Sequence, residues 1–247
     1  MSRDKIQNTK TSSKTTLKLK EVMLAYHDFQ IEKQQHTLSQ ELIQLTHWQS
    51  ERLKHTHQDL YNAPNYTQGL KFLFDELYSV QDFSGRDRDL ERIFPKMIKL
   101  LPSAVIDTVS LLVELNLLTQ KLDHELARTL FHKLNYVDIS EQNYCEAYRH
   151  CNNQIQRAHQ IKLTSKLGEK LDKYARSSII NFSLKITETP AEMAGLSELH
   201  AFIMRGFGSF HSMKGVKELM GTLTQRESQI LDNIFIGHER PFLLRNA

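Results

Sequence analysis

The chain has 247 residues, a formal net charge of +3 and a charged fraction of 25%, values typical of a soluble globular protein. Only nine glycines and five prolines occur, which argues against a many-turned sandwich, a barrel or a long disordered linker. The richest apolar run, Val105–Leu118, is interrupted by charged residues and is too short to span a bilayer. These features favour helices and exclude a transmembrane protein.

Cysteine usage and the N-terminal composition predict the compartment. Cys145 and Cys151 are the only cysteines, and their spacing of six along a predicted helix directs them to different faces. Residues 1–16 contain no apolar core of the kind that a secretory signal needs. We therefore predict a cytoplasmic protein without a disulfide framework.

The basic charge is concentrated at the N-terminus. Residues 1–20 carry six basic side chains and one acidic side chain, so the remainder of the chain is slightly acidic. We interpret residues 1–15 as a disordered, solvated basic tail and residues 16–247 as a single helical domain. A nucleic-acid partner is not predicted.

The first helical region extends from Leu17 to Asn62 without glycine or proline. Its apolar residues recur at steps of three and four, which predicts one long helix or two helices that meet near residues 34–36. A second helix begins near Tyr66, and a third covers about residues 87–101, with Pro95 as a kink or a first-turn residue.

A fourth helix, predicted from an N-cap at Ser103 to about Leu134, carries the widest apolar arc and is expected at the centre of the core. Charged residues recur every seven positions along it and define its expected solvent-facing stripe. These residues are Asp107, Glu114, Lys121 and Arg128.

The C-terminal half predicts four further helical segments. Ser140 caps a fifth helix that continues past Ile161, with a break permitted at Gly168. A sixth segment covers residues 171–186, another helix begins at residues 189–190, and the last covers residues 216–236 before Gly237. The prediction is an all-α bundle of about seven or eight helices with a long N-terminal helix.

Familiar catalytic and metal-binding motifs are missing from the sequence. It contains no phosphate-binding loop, no dinucleotide-binding fingerprint, no HExxH and no zinc-type cysteine spacing. His47, Glu51 and His55 share one helix face, but the ferritin-like Glu-x-x-His spacing does not occur. We therefore predict neither a metal site nor a cofactor.

The most distinctive segment combines aromatic residues with closely spaced charges. It reads FLFDELYSVQDFSGRDRDLER from Phe72 to Arg92. Such charges can form bidentate pairs that fix a loop between two helices, or they can form a polar site for an anion or for acid–base chemistry. The candidate ligand-binding residues here are Asp75, Glu76, Tyr78, Arg86, Asp87, Asp89 and Arg92.

The start of this segment resembles the signature of a bacterial family, the FFLEELY motif proteins. Residues 72–78 stand at the seven motif positions, with the second and third exchanged in kind and Asp75 replacing the first Glu. The resemblance covers roughly residues 60–135. It implies a cytoplasmic bacterial protein of uncharacterised function and transfers no catalytic residue.

A second unusual stretch, residues 195–221, contains five of the nine glycines. Glycines at this density permit close helix packing or leave room for a ligand. Arg205 and His211 are candidate polar anchors if the stretch forms a pocket for a flat or acyl ligand.

Three classes of function remain from the sequence. The first is an interaction or regulatory protein that binds a protein partner or itself. The second is a binding module for a small apolar or anionic ligand. The third is a helical-bundle oxidoreductase of haem-oxygenase-like or ferritin-like type. The first class is preferred, and an enzyme is not, because only the first needs no recognisable site.

Overall fold

A computed structural model describes residues 2–34, 38–77, 94–99, 101–186, 188–193 and 197–244. This part of the chain contains helices and no β-strand, which confirms the predicted all-α class. Within it, no helix combines the length and the apolar character that a membrane crossing requires.

The N-terminal part consists of helices separated by short connections. Their bounds are α1 Ser2–Asn8, α2 Lys14–Gln34, α3 Ser39–Thr56, α4 Gln58–Tyr61, α5 Thr67–Lys71, a π-helical turn Phe72–Leu77, and α6 over residues 94–99. The predicted first helical region is therefore two long helices, α2 and α3. Pro95 occupies the first turn of α6, where its missing N–H costs no hydrogen bond.

The C-terminal part contains the longest helices. Their bounds are α7 Ser103–Arg128, continued by a π-helical turn Thr129–Lys133, then α8 Glu141–His150, α9 Gln154–Ala175, α10 Ser178–Ile186, α11 Glu188–Met193, α12 Ser197–Ser212 and α13 Val216–Phe235. The predicted cap at Ser140 is confirmed, because its hydroxyl accepts a hydrogen bond from Asn143 N at 3.1 Å. The predicted N-cap at Ser103 is wrong by one residue, since Pro102 occupies that position.

Helix α7 lies at the centre of the fold and contacts α2, α3 and α9. Its expected solvent-facing stripe is partly covered by ion pairs from the neighbouring helices. Lys18 on α2 lies 2.9 Å from Glu114, and Lys170 on α9 pairs with Asp107. The two carboxylates therefore link helices, whereas Lys121 and Arg128 further along the stripe are exposed.

The boundary between α8 and α9 differs from the predicted one. The break lies at Asn152, which adopts a left-handed conformation with φ 49°. Gly168 lies within α9, and a Cβ placed there would approach Sδ of Met220 to 2.5 Å. Asparagine tolerates the left-handed region better than most residues, so it ends the helix, while Gly168 permits α9 and α13 to pack closely.

The N-terminal residues depart from the predicted disordered tail. Residues 2–8 form α1, and the side chain of Ile6 is completely buried in the main hydrophobic cluster. Arg3 donates a hydrogen bond to Asp28 on α2 at 2.8 Å. The expectation of disorder over residues 1–15 is corrected, because one buried isoleucine and one ion pair attach this segment to α2.

The apolar core is divided into two clusters. The larger cluster involves α2, α5, the first half of α7, α9, α12 and the start of α13. The smaller one is formed by α3, the second half of α7, α8 and the end of α13, around Leu45, Leu126 and Tyr144. Three of the long helices, α3, α7 and α13, have residues in both clusters. Polar and charged side chains meet between the two clusters.

Candidate functional site

A polar cavity of about 100 Å³ lies at the junction of the two clusters. Five helices, α3, α7, α8, α9 and α13, contribute to its wall. Its charged and strongly polar lining includes Gln49, Arg52, His57, Asp123, Arg157 and Glu227. A single water needs roughly 10–15 Å³ of such space, so the cavity can hold several waters or a ligand of a few heavy atoms.

One side of the cavity is built around the carboxylate of Glu227 on α13. Its Oε1 accepts a hydrogen bond from Nη1 of Arg52 at 2.6 Å and lies 2.7 Å from Nε2 of His57. Burial alone would raise the pKa of Glu227, but the charge of Arg52 and the hydrogen bond from His57 lower it to about 2. Glu227 is therefore ionised, and a neutral His57 carries its proton on Nε2.

The ring of His57 is fully buried, and its second nitrogen, Nδ1, has no hydrogen-bond partner. The residue follows the last turn of α3 and places its ring 6.3 Å from that of Phe74. The carboxylate of Glu227 therefore fixes the orientation of the ring through one nitrogen, while the other nitrogen keeps an unused hydrogen-bonding capacity.

The opposite side is built around Arg157 on α9, whose side chain is only 4% exposed. Its Nη1 donates to Oδ1 of Asp123 at 3.4 Å and to Oε1 of Gln160 at 3.3 Å, and its Nη2 donates to the carbonyl of Leu122 at 3.2 Å. Its Nε has no hydrogen-bond partner, and neither does Nε of Arg52. Two buried guanidinium groups therefore retain unused donors.

Asp123 on α7 accepts from two side chains at the same oxygen. Gln49 Nε2 donates to its Oδ1 at 3.2 Å, beside the bond from Arg157. Burial raises the pKa of Asp123, and the charge of Arg157 opposes that shift. The pair Asp123–Arg157 and the trio Glu227–Arg52–His57 thus place alternating charges around one cavity.

The apolar part of the wall combines aliphatic side chains with the rings of Phe74, Tyr144 and Tyr148, and Trp48 and Phe242 pack against Tyr144. Trp48 stacks on Tyr144 with ring centroids 4.3 Å apart, and Tyr144 lies 5.4 Å from Tyr148. The guanidinium of Arg157 lies over the Tyr148 ring at 4.7 Å, a cation–π geometry. On the other side, Arg52 lies 5.5 Å from the centroid of Phe242. The rings hold both guanidinium groups in place from the side.

The sequence-predicted charged loop contributes nothing that can be placed at this cavity. Tyr78, Arg86, Asp87, Asp89 and Arg92 lie outside the described residues. The backbone of Asp75 and Glu76 belongs to the π-helical turn, and their side chains are also outside what the structure describes. The proposed clasp between these charges stays a prediction.

The aromatic residues that precede those acids do reach the interior. Phe72, Leu73 and Phe74 are buried in the larger cluster. Phe74 stacks on Tyr61 at 6.1 Å, and Leu73 and Phe74 line the polar cavity. The first three positions of the segment therefore pack the core.

The two candidate anchors of the glycine-rich stretch lie away from the cavity. Arg205 on α12 is exposed. His211 is exposed too, and its Nδ1 lies 2.8 Å from the carbonyl of Ala175, the last residue of α9. His211 thus binds the C-terminal end of a helix, where unpaired carbonyls accept hydrogen bonds.

Two of these glycines, Gly206 and Gly215, serve packing and a turn. A Cβ at Gly206 would lie 2.8 Å from Cζ of Phe72, so α12 packs directly on the π-helical turn. Gly215 joins α12 to α13 with φ 72°. An apolar void of about 30 Å³ remains beside Gly206, lined in part by Phe72 and Phe207.

The histidine face of α3 is solvent-exposed. His47, Glu51 and His55 are all exposed. Among the described residues, no group of three or more histidine, cysteine, aspartate or glutamate side chains is arranged to hold a metal ion.

Sequence reasoning missed Arg52, His57, Asp123, Arg157 and Glu227. One signal was available on α7. At about 100° per residue, Asp123 lies roughly 200° around the helix from Lys121 and therefore off the charged stripe. A carboxylate among the apolar positions of a central helix indicates a buried polar contact.

No curated protein and no solved structure gives a significant match. A family model described as Domain of unknown function (DUF8198) matches residues 28–241, which include every residue of the polar cavity. The chain belongs to this family, the DUF8198 domain family.

Proposed function

We propose that this protein is a small-molecule-binding module and that the polar cavity is its binding site. The observation that supports this proposal is the cavity between the two apolar clusters, whose wall contains two ion pairs, Arg52–Glu227 and Arg157–Asp123. A buried ion pair is often no more stabilising than apolar residues of similar volume. Two such pairs around one cavity therefore favour a binding role over a packing role.

The size and lining of the cavity limit the ligand. A volume of about 100 Å³ suits a few heavy atoms, fewer than most drug-like molecules contain. The wall combines paired charged groups with tyrosine rings and aliphatic side chains, which favours a small molecule that has both a polar and an apolar part. The sequence suggested a small-ligand site in residues 72–92 or 195–221. We keep this class of function but assign it to the cavity between the two apolar clusters.

A pair of threonine substitutions on α13 tests this proposal. Thr224 lines the cavity, and its hydroxyl donates only to Met220 O of its own helix, at 2.7 Å. Thr224→Met therefore fills the cavity without removing a polar contact from its wall. Thr222 lines the outer groove of the same helix, so Thr222→Met is a matched control.

The readouts are native mass spectrometry of the untagged protein and thermal shifts with a panel of small polar metabolites. We expect a bound small molecule, or stabilisation on its addition, in the unmodified protein and in Thr222→Met but not in Thr224→Met. At one hundred times its Kd a ligand stabilises by about 2.7 kcal/mol, which a thermal shift detects. Equal responses of the two variants would contradict the proposal.

A second candidate function is protein interaction or regulation, and a patch of exposed apolar side chains favours it. Ile179, Phe182 and Ile186 on α10 are exposed at a spacing of three and four, and Met193 on α11 is 85% exposed. Contiguous exposed apolar surface is typical of association sites. The patch binds either another protein or a second copy of this chain in this proposal, as the sequence suggested.

The patch is tested by replacing Phe182 and Met193 with serine and measuring sedimentation velocity and partner recovery from lysate. Ile155→Ser is the matched control, because Ile155 is 84% exposed on α9. We expect the double variant alone to lose association. Unchanged association would leave the cavity as the sole candidate site.

The resemblance of residues 72–78 to the FFLEELY motif remains part of this proposal, and so do the cytoplasmic location and bacterial origin that it implies. The low cysteine content supports the cytoplasmic location.

A further inference from the structure

We propose that the polar cavity binds a small neutral molecule that donates hydrogen bonds to Asp123 and Glu227 and places an apolar part against the aliphatic side chains of the wall. This inference rests on the proposed function, because it names the chemical class of the ligand at the same site.

Glu227 keeps one carboxylate oxygen without a donor. Arg52 and His57 both contact Oε1, at 2.6 and 2.7 Å, and no described group donates to Oε2. Oε2 retains accessible surface, whereas the unpartnered Nε of Arg52 is sealed from solvent. In this ion pair, the unused group that a ligand can reach is therefore an acceptor.

Asp123 is arranged in the same way on the opposite side of the cavity. Gln49 and Arg157 both donate to Oδ1, whereas Oδ2 has no donor among the described groups and retains accessible surface. Asp123 is only 8% exposed, and both of its donors also line the cavity. The remaining accessible surface of Oδ2 therefore faces the cavity, where a donor on a ligand can reach it.

The charges of the wall balance without a ligand. Two guanidinium groups, from Arg52 and Arg157, are paired with two carboxylates, from Glu227 and Asp123. A charged ligand would leave one charge uncompensated in a largely buried site, and an unpaired buried charge is costly. A neutral ligand avoids this cost, and its hydroxyl or N–H group still forms a charge-assisted hydrogen bond to a carboxylate.

Water alone does not match the whole surface of the cavity. Leu53, Leu223, Ile230 and Leu231 line it beside the polar groups. A bound water needs about two to four polar partners, which aliphatic side chains do not provide. A donor group on a short carbon chain matches both parts of the wall, and the volume of about 100 Å³ limits that chain to a few atoms.

The experiment compares three probes of nearly equal size on the full chain at constant pH and ionic strength. Butan-2-ol can donate a hydrogen bond, butan-2-one can only accept one, and the butan-2-ylammonium ion is a cation. Binding is measured by NMR titration of the ¹³C-labelled side-chain carboxyl groups. Thr224→Met fills the cavity, and Thr222→Met in the outer groove is its matched control, so both ion pairs stay intact.

We expect butan-2-ol to bind the unmodified protein and Thr222→Met about tenfold more tightly than butan-2-one, because the alcohol adds a hydrogen bond to a charged group. The cation should bind no more tightly than the alcohol. The carboxyl resonances of Asp123 and Glu227 should shift on addition of butan-2-ol, while that of Asp59 in the outer groove stays. These shifts decide the question if Thr224→Met, which should lose binding, does not fold.

Four outcomes overturn the inference, and they are distinguishable. Equal binding of the alcohol and the ketone, lost in Thr224→Met, would refute the need for a donor and leave the proposed function intact. Tighter binding of the cation, lost in the same variant, would refute a neutral ligand and also leave that function intact. Binding of butan-2-ol that persists in Thr224→Met without carboxyl shifts would place it outside the cavity. No binding of any probe and no co-purified small molecule would remove both the inference and the proposed function.

Discussion

Nε2 of His57 lies 2.7 Å from Oε1 of Glu227, although the two residues are 170 positions apart in the chain. This contact attaches the end of α3 to the middle of α13. Because the imidazole is completely buried, the hydrogen bond is shielded from solvent, and its loss leaves a polar ring without a partner.

Glu227→Gln is expected to be strongly destabilising. The change removes the negative charge that Arg52 contacts at 2.6 Å, in a place where both side chains are at most 20% exposed. Breaking a buried ion pair in this way costs about 3–5 kcal/mol. Urea denaturation at neutral pH measures the free energy of unfolding. The control is Asp59→Asn, which breaks the exposed Arg226 pair and should cost less than about 1 kcal/mol.

The same carboxylate predicts a defined loss of stability in acid. The pKa of Glu227 falls from its ordinary 4.5 to about 2 on folding, so its contribution is complete above about pH 4.5 and is lost as the pH falls towards 2. By linkage the shift corresponds to about 3 kcal/mol. Asp123, whose pKa burial raises, contributes with the opposite sign. Urea titrations from pH 7 to pH 3 should therefore show a shallower acid slope in Glu227→Gln than in the unmodified protein, and parallel slopes would refute this assignment.

Ile6→Ala should destabilise the protein by about 2–5 kcal/mol, the range for large-to-small changes in a core. Ile6 is fully buried, whereas Leu17 on the adjacent helix is 46% exposed and serves as the control in Leu17→Ala. Thermal unfolding by circular dichroism measures both variants. Equal, small changes would favour the disordered tail that the composition suggested.

Gly206→Ala and Gly208→Ala are expected to change stability in opposite directions. A Cβ at Gly206 meets the buried ring of Phe72 at 2.8 Å, whereas a Cβ at Gly208 has no atom within 4 Å. Overpacking costs about 1–3 kcal/mol, and an unopposed Gly to Ala change in a helix contributes up to about 1 kcal/mol. Chemical denaturation of the two variants checks the sign. If both alanine variants are more stable than the unmodified protein, the ring of Phe72 moves aside at little cost.

The fold class and several helix limits could be predicted from the sequence because local signals determine them. Ser140 and Gly237 mark helix ends by their own conformational preferences, and the structure places the ends of α8 and α13 beside them. The break at Asn152 was missed because Gly168, a stronger local signal, lies 16 residues further on. Only the contact with Met220 explains why α9 continues through Gly168.

The cavity could not be predicted, because its charged residues come from separate helices and pair over long distances in the chain. Arg52 and Glu227 are 175 positions apart, and Arg157 and Asp123 are 34 apart. Apart from Asp123, each of these side chains, considered alone on its helix, predicts a solvated position. The charged loop after Phe74 was predicted as a candidate site instead, because its charges are adjacent in sequence.

The polar layer between the two apolar clusters also determines how the helices align along their axes. Leucine-rich helix faces can slide past one another by a turn at a modest cost, since one apolar contact replaces another. The layer removes this freedom. The donors to Glu227 on α13 are Arg52 on α3 and His57 just after α3. The donors to Asp123 on α7 are Gln49 on α3 and Arg157 on α9. A shift of one helix by about 5.4 Å, a single turn, would leave buried charges unpaired. The layer therefore fixes the register of α3, α7, α9 and α13 to one value.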